Sequence, residues 1–510
     1  MRLHTLLCGL PAVKLPPSEP DEEICRICTD SRLAGKGCVF VCLHGPQQDG
    51  HAYAREAYER GCRLFVCEYP PALPEDAAVA YVPDSRVALA QIASVFYGYP
   101  ERGLVLIGIT GTKGKTTTAM MIYQLLQAHG VPAGYIGSNG VLYANVEEKT
   151  ENTTPSAPEL RRIFRDMRRF SIRVAVMEVS SQAIACERIA GLCFPICVFT
   201  NLAADHIGEG EHPDFSHYRR TKARLFSEFG CRSLIVNLDD GTAAYMVAAS
   251  SATRIRTVSA SGGEAMLRAT HIRPVRSGDG FGTAYILHSA EEKGSLPVYL
   301  PLPGECNVTD ALLALSAARE YLTQWEPEKD ASFRSLTHTL ERVRIPGRFT
   351  WVRTPIPDVD FVIDYAHNGY SLSAALTALR AYAPERLVCL FGSVGGRTYS
   401  RRTELAEAAC AADFCIVTTD NPDAEQPADT MREICAVLDE HGRDYVALPD
   451  RAAAIRYAVL YARPGDMVLL AGKGHEDYQL IRGRHIRFSE REILLEAAEG
   501  KQEDRFCFLL

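Results

Sequence analysis

Between an apolar run, Leu104 to Ile109, and a run with helical spacing of Met121, Ile122, Leu125 and Leu126 lies the segment Gly111-Thr112-Lys113-Gly114-Lys115-Thr116-Thr117. A glycine-rich turn between a strand and a helix aims several backbone N–H groups and the helix N-terminus at one spot, which is the arrangement that surrounds a phosphate. In that reading Lys115 meets the β- and γ-phosphates of a nucleotide and Thr116 ligates Mg²⁺. The two glycines stand closer together than in the common phosphate-loop pattern.

Two further polar clusters follow buried strands. Glu178 ends the run Val174 to Val179 and precedes Ser180-Ser181, while Thr200-Asn201 ends the run Ile196 to Phe199 and leads into Asp205-His206. Parallel strands open their C-terminal ends onto one edge, so both clusters are expected beside the phosphate loop. A carboxylate and an imidazole there suit metal ions that bridge phosphate and acceptor, since Mg²⁺ prefers oxygen ligands and keeps waters. Taken singly, each is equally explained as a polar residue satisfied by loop backbone.

The elements that must hold these groups divide the 510 residues into three parts, as the length predicts. Residues 1–102 read as a small α/β unit with strands at Val39 to Leu43, Leu64 to Cys67 and Val79 to Val82 and a helix at Ala52 to Arg60. Its polar groups gather after strands, at Asp30-Ser31-Arg32 and Asp49-Gly50-His51. Residues 103–345 read as a nucleotide-binding parallel-sheet domain carrying a β insert at Arg268 to Val298. From residue 346 to 510, five apolar strands alternate with helices and predict a second, Rossmann-like parallel sheet covered on both faces. The expected fold class is therefore three-domain α/β.

Composition narrows the function. Fifty-five Lys and Arg against 63 Asp and Glu leave a net charge of −8, so there is no broad basic footprint for nucleic acid. No apolar run approaches the roughly 18 residues of a membrane span, and Met1 to Leu10 is too short and weakly charged for a secretory signal. A cytoplasmic, monomeric protein without nucleic-acid or membrane partners is expected. Most of the 17 cysteines, among them Cys42, Cys67, Cys197, Cys389 and Cys415, lie in strand-like runs and read as small core residues. Cys25 and Cys28 have ligand spacing but lack a matching second pair.

Beyond the phosphate loop, an ordered series of motifs resembles one family closely. Asn152-Thr153-Thr154-Pro155, Met177-Glu178-Val179-Ser180-Ser181, Thr200-Asn201-Leu202 and Asn237-Leu238-Asp239-Asp240 are followed by Pro346-Gly347-Arg348 and Asp364-Tyr365-Ala366-His367. Asp420-Asn421-Pro422 and Gly472-Lys473-Gly474-His475-Glu476 complete the series. The chain resembles the Mur ligases, and within them the MurE-type UDP-N-acetylmuramoyl-tripeptide synthetases, from about Asp30 to beyond Glu476. The resemblance implies a bacterial peptidoglycan-precursor ligase. The D-Glu carboxylate of UDP-N-acetylmuramoyl-L-Ala-D-Glu is phosphorylated by ATP, and the amine of an amino acid then displaces the phosphate. Physical chemistry agrees, because a carboxylate is a poor electrophile until one oxygen becomes a leaving group, and joining two anions requires local cations.

What the resemblance implies for residues is specific. Lys115, Glu178, His206 and Lys222 carry catalysis, and Thr116, Glu178, His206 and Lys222 hold metal, with Lys222 carbamylated to N6-carboxylysine. ATP contacts run from Gly111 to Thr117 and add Asn307 and Arg348. Ser31, Arg32, His51, Thr153, Thr154, Ser181 and Arg188 contact the UDP substrate. Arg397, Asp420, Asn421, Asp423 and Glu476 contact the incoming amino acid. Gln182, Cys186 and Asp310 depart from the family pattern, and Cys186 hardly retains the hydrogen-bonding capacity of the glutamine common at its position.

The acceptor is read from Asp423. Relatives that add meso-diaminopimelate carry arginine at this position, suited to clamp a distal carboxylate. Aspartate repels a carboxylate and attracts an ammonium, so L-lysine or L-ornithine is the first expectation and meso-diaminopimelate the alternative. Two other functions compete: a phosphate-loop switch or assembly ATPase, which leaves the N-terminal unit and the Asp420 cluster without a purpose, and a folylpolyglutamate-type ligase, which lacks the Asp30-Ser31-Arg32 unit.

Overall fold

The structure is a computed structural model that describes all residues except 11–22, 46–47, 206, 209–210, 279, 397–398 and 508–510. It comprises two compact units, residues 1–258 with 316–331, and residues 259–315 with 332–510.

The first unit begins with a four-stranded parallel sheet of Arg26–Cys28, Cys38–Val41, Leu64–Cys67 and Ala78–Tyr81 in sequential order. Alternation along these strands splits the side chains between two cores. Val39, Val41, Leu64, Val66 and Ala80 pack with Leu3, Leu6 and Ile92 on one face. Cys28, Cys38, Phe40, Cys42, Phe65 and Cys67 pack with Ala54, Ala57 and Cys62 on the other. Thiols are compact and weakly polar, so they fill this thin second core where the helix Ala54–Glu59 lies close.

A larger sheet follows in the same unit. Its parallel strands run in the order Arg254–Ser259, Ser233–Asn237, Ile196–Phe199, Val105–Thr110, Val174–Glu178 and Ala133–Gly137, and the antiparallel Gly140–Tyr143 and Val146–Glu148 close one edge. Val105–Thr110 is central. The chain leaves it first toward one edge of the sheet and later returns to the other, making its C-terminal end a topological switch point where α/β proteins bind ligands. Helices Lys115–Ala128, Ala157–Arg169 and Phe215–Ser227 cover the faces.

In the second unit, Leu267–Ser277, Gly280–Ser289 and Ser295–Leu300 form an antiparallel meander, as the alternation of that stretch predicts. A six-stranded sheet follows in the order Thr350–Val352, Asp360–Asp364, Asp466–Ala471, Arg386–Phe391, Phe414–Val417 and Tyr445–Ala447, parallel except at its first pair. Val362, Leu387, Cys389 and Leu469 face one set of helices, and Phe361, Ile363, Val388 and Leu470 face the other. The five strands expected from apolar runs are all present, and a sixth, Thr350–Val352, joins them. No helix among the described residues is long and apolar enough to cross a membrane.

Candidate active site

The phosphate loop is held by the strand end beside it. Thr112 N–H donates to the Asn201 carbonyl (2.9 Å), Lys113 N–H to Asn201 Oδ1 (3.0 Å), and Thr200 Oγ1 and Asn201 Nδ2 both donate to the Lys113 carbonyl (2.5 and 3.1 Å). Asn237 Nδ2 in turn secures the Thr200 carbonyl at 2.9 Å. Gly111 admits no side chain, because a Cβ there would overlap Thr200 Oγ1. Gly114 adopts φ +81° as the N-cap of Lys115–Ala128, a left-handed conformation that favours glycine. The Thr200-Asn201 motif is thus explained as a clamp on the loop.

Four of the expected catalytic and metal residues converge here. Lys115 Nζ donates to the carbonyls of Gly111 and Thr112, both at 3.0 Å. Lys222, on the helix Phe215–Ser227, is almost fully buried and its Nζ also reaches the Gly111 carbonyl, at 2.8 Å. Burial, with Lys115 and Lys113 nearby, pushes the Lys222 amine well below the ordinary lysine range. Glu178 is fully buried. Its Oε1 accepts from Tyr135 OH (2.6 Å) and Ser138 N–H (3.0 Å), and its Oε2 accepts from Thr116 Oγ1 at 3.1 Å. Thr117 is buried in the first turn of the same helix. Lys113 Nζ pairs with Asp205 at 3.1 Å. His206 lies outside the described residues.

Beside Glu178 stand several of the expected UDP-substrate contacts. Thr154 Oγ1 donates to the Glu178 carbonyl (2.9 Å), Arg188 Nη1 to the Thr154 carbonyl (2.9 Å), and Thr153 Oγ1 lies 3.1 Å from Ser138 Oγ. Ser181 Oγ lies 2.9 Å from Nε2 of the buried His212, whose Nδ1 faces His217 Nδ1 at 2.9 Å. Ser180, named in the sequence only as part of the cluster after Glu178, bonds through its N–H to Thr154 and caps the helix Ser181–Ala185. His212 carries no such sequence signal, because it sits in a loop segment without periodicity.

The N-terminal residues fall into two separate networks. Ser31 Oγ donates to Glu56 (2.8 Å), and the exposed Arg32 forks onto Asp30 (3.0 and 2.7 Å). His51 is buried: Nδ1 meets Asp49 at 2.8 Å, Nε2 accepts from Glu68 N–H at 3.0 Å, and its ring stacks on Tyr69 at 3.8 Å. His51 shares a cluster with Cys42 and Cys67, whose sulfurs are 3.6 Å apart. Both ring nitrogens already have partners, and the Cys67 thiol and burial push the Cys42 thiol up, so packing accounts for this trio. Cys25 and Cys28 bond to different carbonyls, those of Gly37 and Leu33.

In the second unit, Arg348 lies over the Tyr365 ring at 4.9 Å, and Asn307 Nδ2 donates to the Pro303 carbonyl at 2.7 Å. Asp364 accepts from Phe349 and Ala366 N–H groups (2.9 Å each), and burial raises its carboxyl despite the opposing charge of Arg348. Asp420, Asn421 and Glu476 gather around Lys473. Burial pushes Glu476 up, but the charge of Lys473 and hydrogen bonds from Lys473, Asn421 and Tyr365 outweigh it and hold the carboxyl below its usual range. Arg402 is committed to Glu425 and Glu433. Arg397 lies outside the described residues.

Asp423 is tied into a turn. Its carboxylate accepts from Gly483 N–H at 2.8 Å, its own N–H donates to the Leu480 carbonyl at 2.9 Å, and its carbonyl accepts from Arg482 N–H at 2.8 Å. The residue anchors the hairpin Tyr478–Ile481 and Arg484–Arg487 to the loop, so its charge serves a turn.

A phosphate loop at the switch point of a parallel sheet, with a buried glutamate and lysine converging on it, defines an α/β phosphate-loop protein. Residues 109–318 match the Mur ligase middle domain, and residues 347–474 match the Mur ligase glutamate ligase domain. The chain is 34% identical over 498 residues to the UDP-N-acetylmuramoyl-L-alanyl-D-glutamate–2,6-diaminopimelate ligase of Caldanaerobacter subterraneus subsp. tengcongensis, covering 97% of this chain and 98% of that protein. It is 36% identical over 481 residues to the ligase of the same name from Chlorobaculum tepidum, covering 92% of each. A solved structure of a ligase of that name superposes with a TM-score of 0.63 at 26% identity, over 95% of this chain and 98% of that one. The chain belongs to the Mur ligase family, in the group of UDP-N-acetylmuramoyl-tripeptide synthetases. These relatives are named for 2,6-diaminopimelate, which favours the alternative over the first expectation of L-lysine or L-ornithine.

Proposed function

We propose that the protein joins 2,6-diaminopimelate to the D-Glu carboxylate of UDP-N-acetylmuramoyl-L-Ala-D-Glu, with ATP converted to ADP and phosphate. The observation that carries this reading is the convergence of Lys115, Thr116, Glu178 and Lys222 at one sheet edge, in a chain that matches diaminopimelate ligases over nearly its whole length.

The substrate carboxylate oxygen attacks the γ-phosphorus and ADP leaves. The acceptor amine then attacks the resulting acyl phosphate, loses a proton and expels phosphate. Lys115, with the loop N–H groups, neutralises charge on the transferring phosphoryl group, and Arg348 of the second unit is a further ATP contact. Thr154, Ser181 and Arg188 hold the muramoyl-dipeptide beside Glu178, while Ser31, Arg32 and His51 hold the UDP end, His51 by bracing the fold around Asp49. Asn307 contributes to the adenine site. Arg397, Asp420, Asn421 and Glu476 receive the amino acid.

Mg²⁺ fits the donors present: Thr116 Oγ1 and the Glu178 carboxylate are hard oxygens that already meet at 3.1 Å. With His206 and Lys222 they would hold it, and it would supply charge neutralisation between the phosphate and the substrate carboxylate. An ammonium cannot serve as a metal ligand. A buried amine held low in pKa is the neutral form that adds CO₂, so Lys222 is suited to become the carbamate. ADP release measured with each substrate omitted in turn tests the reading. Strict dependence on both the UDP-dipeptide and 2,6-diaminopimelate supports it, and basal hydrolysis indifferent to both overturns it.

A further inference from the structure

The Gly472-Lys473-Gly474-His475-Glu476 motif contains a buried ammonium without a role in the account above. Lys473 is fully buried, and lysine is rarely so unless paired. Nζ donates to Asn421 Oδ1 (2.7 Å) and Glu476 Oε2 (2.7 Å) and lies 3.5 Å from Asp420 Oδ1. The flanking glycines make this approach feasible. A Cβ on Gly472, at φ +119°, would sit 2.7 Å from Asp420 Oδ2, and one on Gly474, at φ +56°, would sit 2.6 Å from Tyr365 Cβ.

These bonds fix the atoms around the ammonium. Asn421 Oδ1 takes Lys473 and Leu480 N–H (2.9 Å), and its Nδ2 gives one hydrogen to Glu476 Oε2 (3.0 Å). The amide orientation is thereby set, with one N–H left to donate. Glu476 Oε2 accepts from both Lys473 and Asn421, whereas Oε1 accepts, among the described residues, from Tyr365 OH alone, at 3.2 Å. Asp420, Glu476 and Glu490 against Lys473 and Arg451 set three carboxylates against two cations, a formal net charge of −1, which attracts an amino group.

We infer that Lys473 is the positioning residue of the acceptor pocket, orienting the Asn421 amide for a carboxylate and the Glu476 Oε1 for an ammonium of the incoming amino acid. The inference rests on the functional reading above, which places Asp420, Asn421 and Glu476 at the amino acid. Loss of charge-assisted hydrogen bonds of this kind corresponds to about ten- to a hundredfold in affinity.

The test measures KM for 2,6-diaminopimelate, ATP and UDP-dipeptide in wild type, Lys473→Met, Glu476→Gln and the double variant, which removes ammonium and partner charge together and keeps the interior balanced. Expected are a KM for diaminopimelate raised about tenfold or more in Lys473→Met, KM values for the other substrates within about twofold, and a double variant no worse than the more impaired single. Equal rises in all three KM values, an unchanged diaminopimelate KM, or additive losses in the double variant overturn the inference alone. Wild type that does not turn over diaminopimelate overturns the functional reading and this inference with it.

Discussion

Lys115 and Lys222 donate to the same oxygen, the Gly111 carbonyl, at 3.0 and 2.8 Å. Two ammonium groups on one acceptor repel, and the fully enclosed one yields its proton first. The phosphate loop thus seats Lys115 beside a buried Lys222 whose amine burial and that neighbour hold well below the ordinary lysine range.

That division has a stability consequence. A lysine whose folded pKa lies below the ordinary 10.5 binds fewer protons in the native than in the unfolded state, so it lowers stability at neutral pH, and stability recovers as pH rises toward 10.5. In CO₂-free buffer Lys222→Met should therefore melt above wild type at pH 7, and the gap should narrow toward pH 10.5. A gap independent of pH would show that the amine is not held neutral.

Activity should respond in the opposite direction. Lys222→Ala is expected to lose ligation, and formate or acetate should restore part of it by placing a small carboxylate where the carbamate stands. Titration of either anion into the variant, with ADP release as readout, checks this, and no rescue at any concentration contradicts the carbamate assignment.

Removing the other lysine tests charge neutralisation directly. Lys115→Ala should lower kcat/KM by about a hundredfold or more, because a cation facing developing phosphoryl charge is worth several kcal/mol. Near wild-type turnover would remove Lys115 from the mechanism.

Asp423→Asn distinguishes a turn anchor from a specificity charge. Asparagine Oδ1 can still accept from Gly483 N–H, so KM for 2,6-diaminopimelate should stay within about twofold, since an uncharged acceptor preserves the turn. A preference that moves tenfold between L-lysine and diaminopimelate would restore the charge argument.

Much of this architecture was legible from local pattern. The strand–loop–helix around Lys115, the strand ends at Glu178 and Thr200, and the strands of the C-terminal sheet follow from apolar runs closed by glycine or polar residues, and each lies within a few residues of its expected place. What stayed hidden depends on tertiary contact. Nothing in the sequence says that Asp423 spends its carboxylate on the turn at Gly483, sixty residues away, or that Lys473 reaches back to Asn421. The resemblance implies His51 as a UDP contact, and only the fold shows that its Nδ1 meets Asp49 and its Nε2 accepts from Glu68 N–H. Residue type indicates what a group can do, and only packing decides which partner it takes.

The central claim is that the substrate carboxylate is activated as an acyl phosphate. It is tested most directly by supplying UDP-N-acetylmuramoyl-L-Ala-D-Glu with ¹⁸O in the D-Glu γ-carboxylate and analysing the released phosphate by mass spectrometry. The carboxylate oxygen that attacks the γ-phosphorus leaves with the phosphate when the amine displaces it, so the account predicts one ¹⁸O in each phosphate formed. Phosphate free of substrate-derived ¹⁸O while amide product accumulates would contradict it.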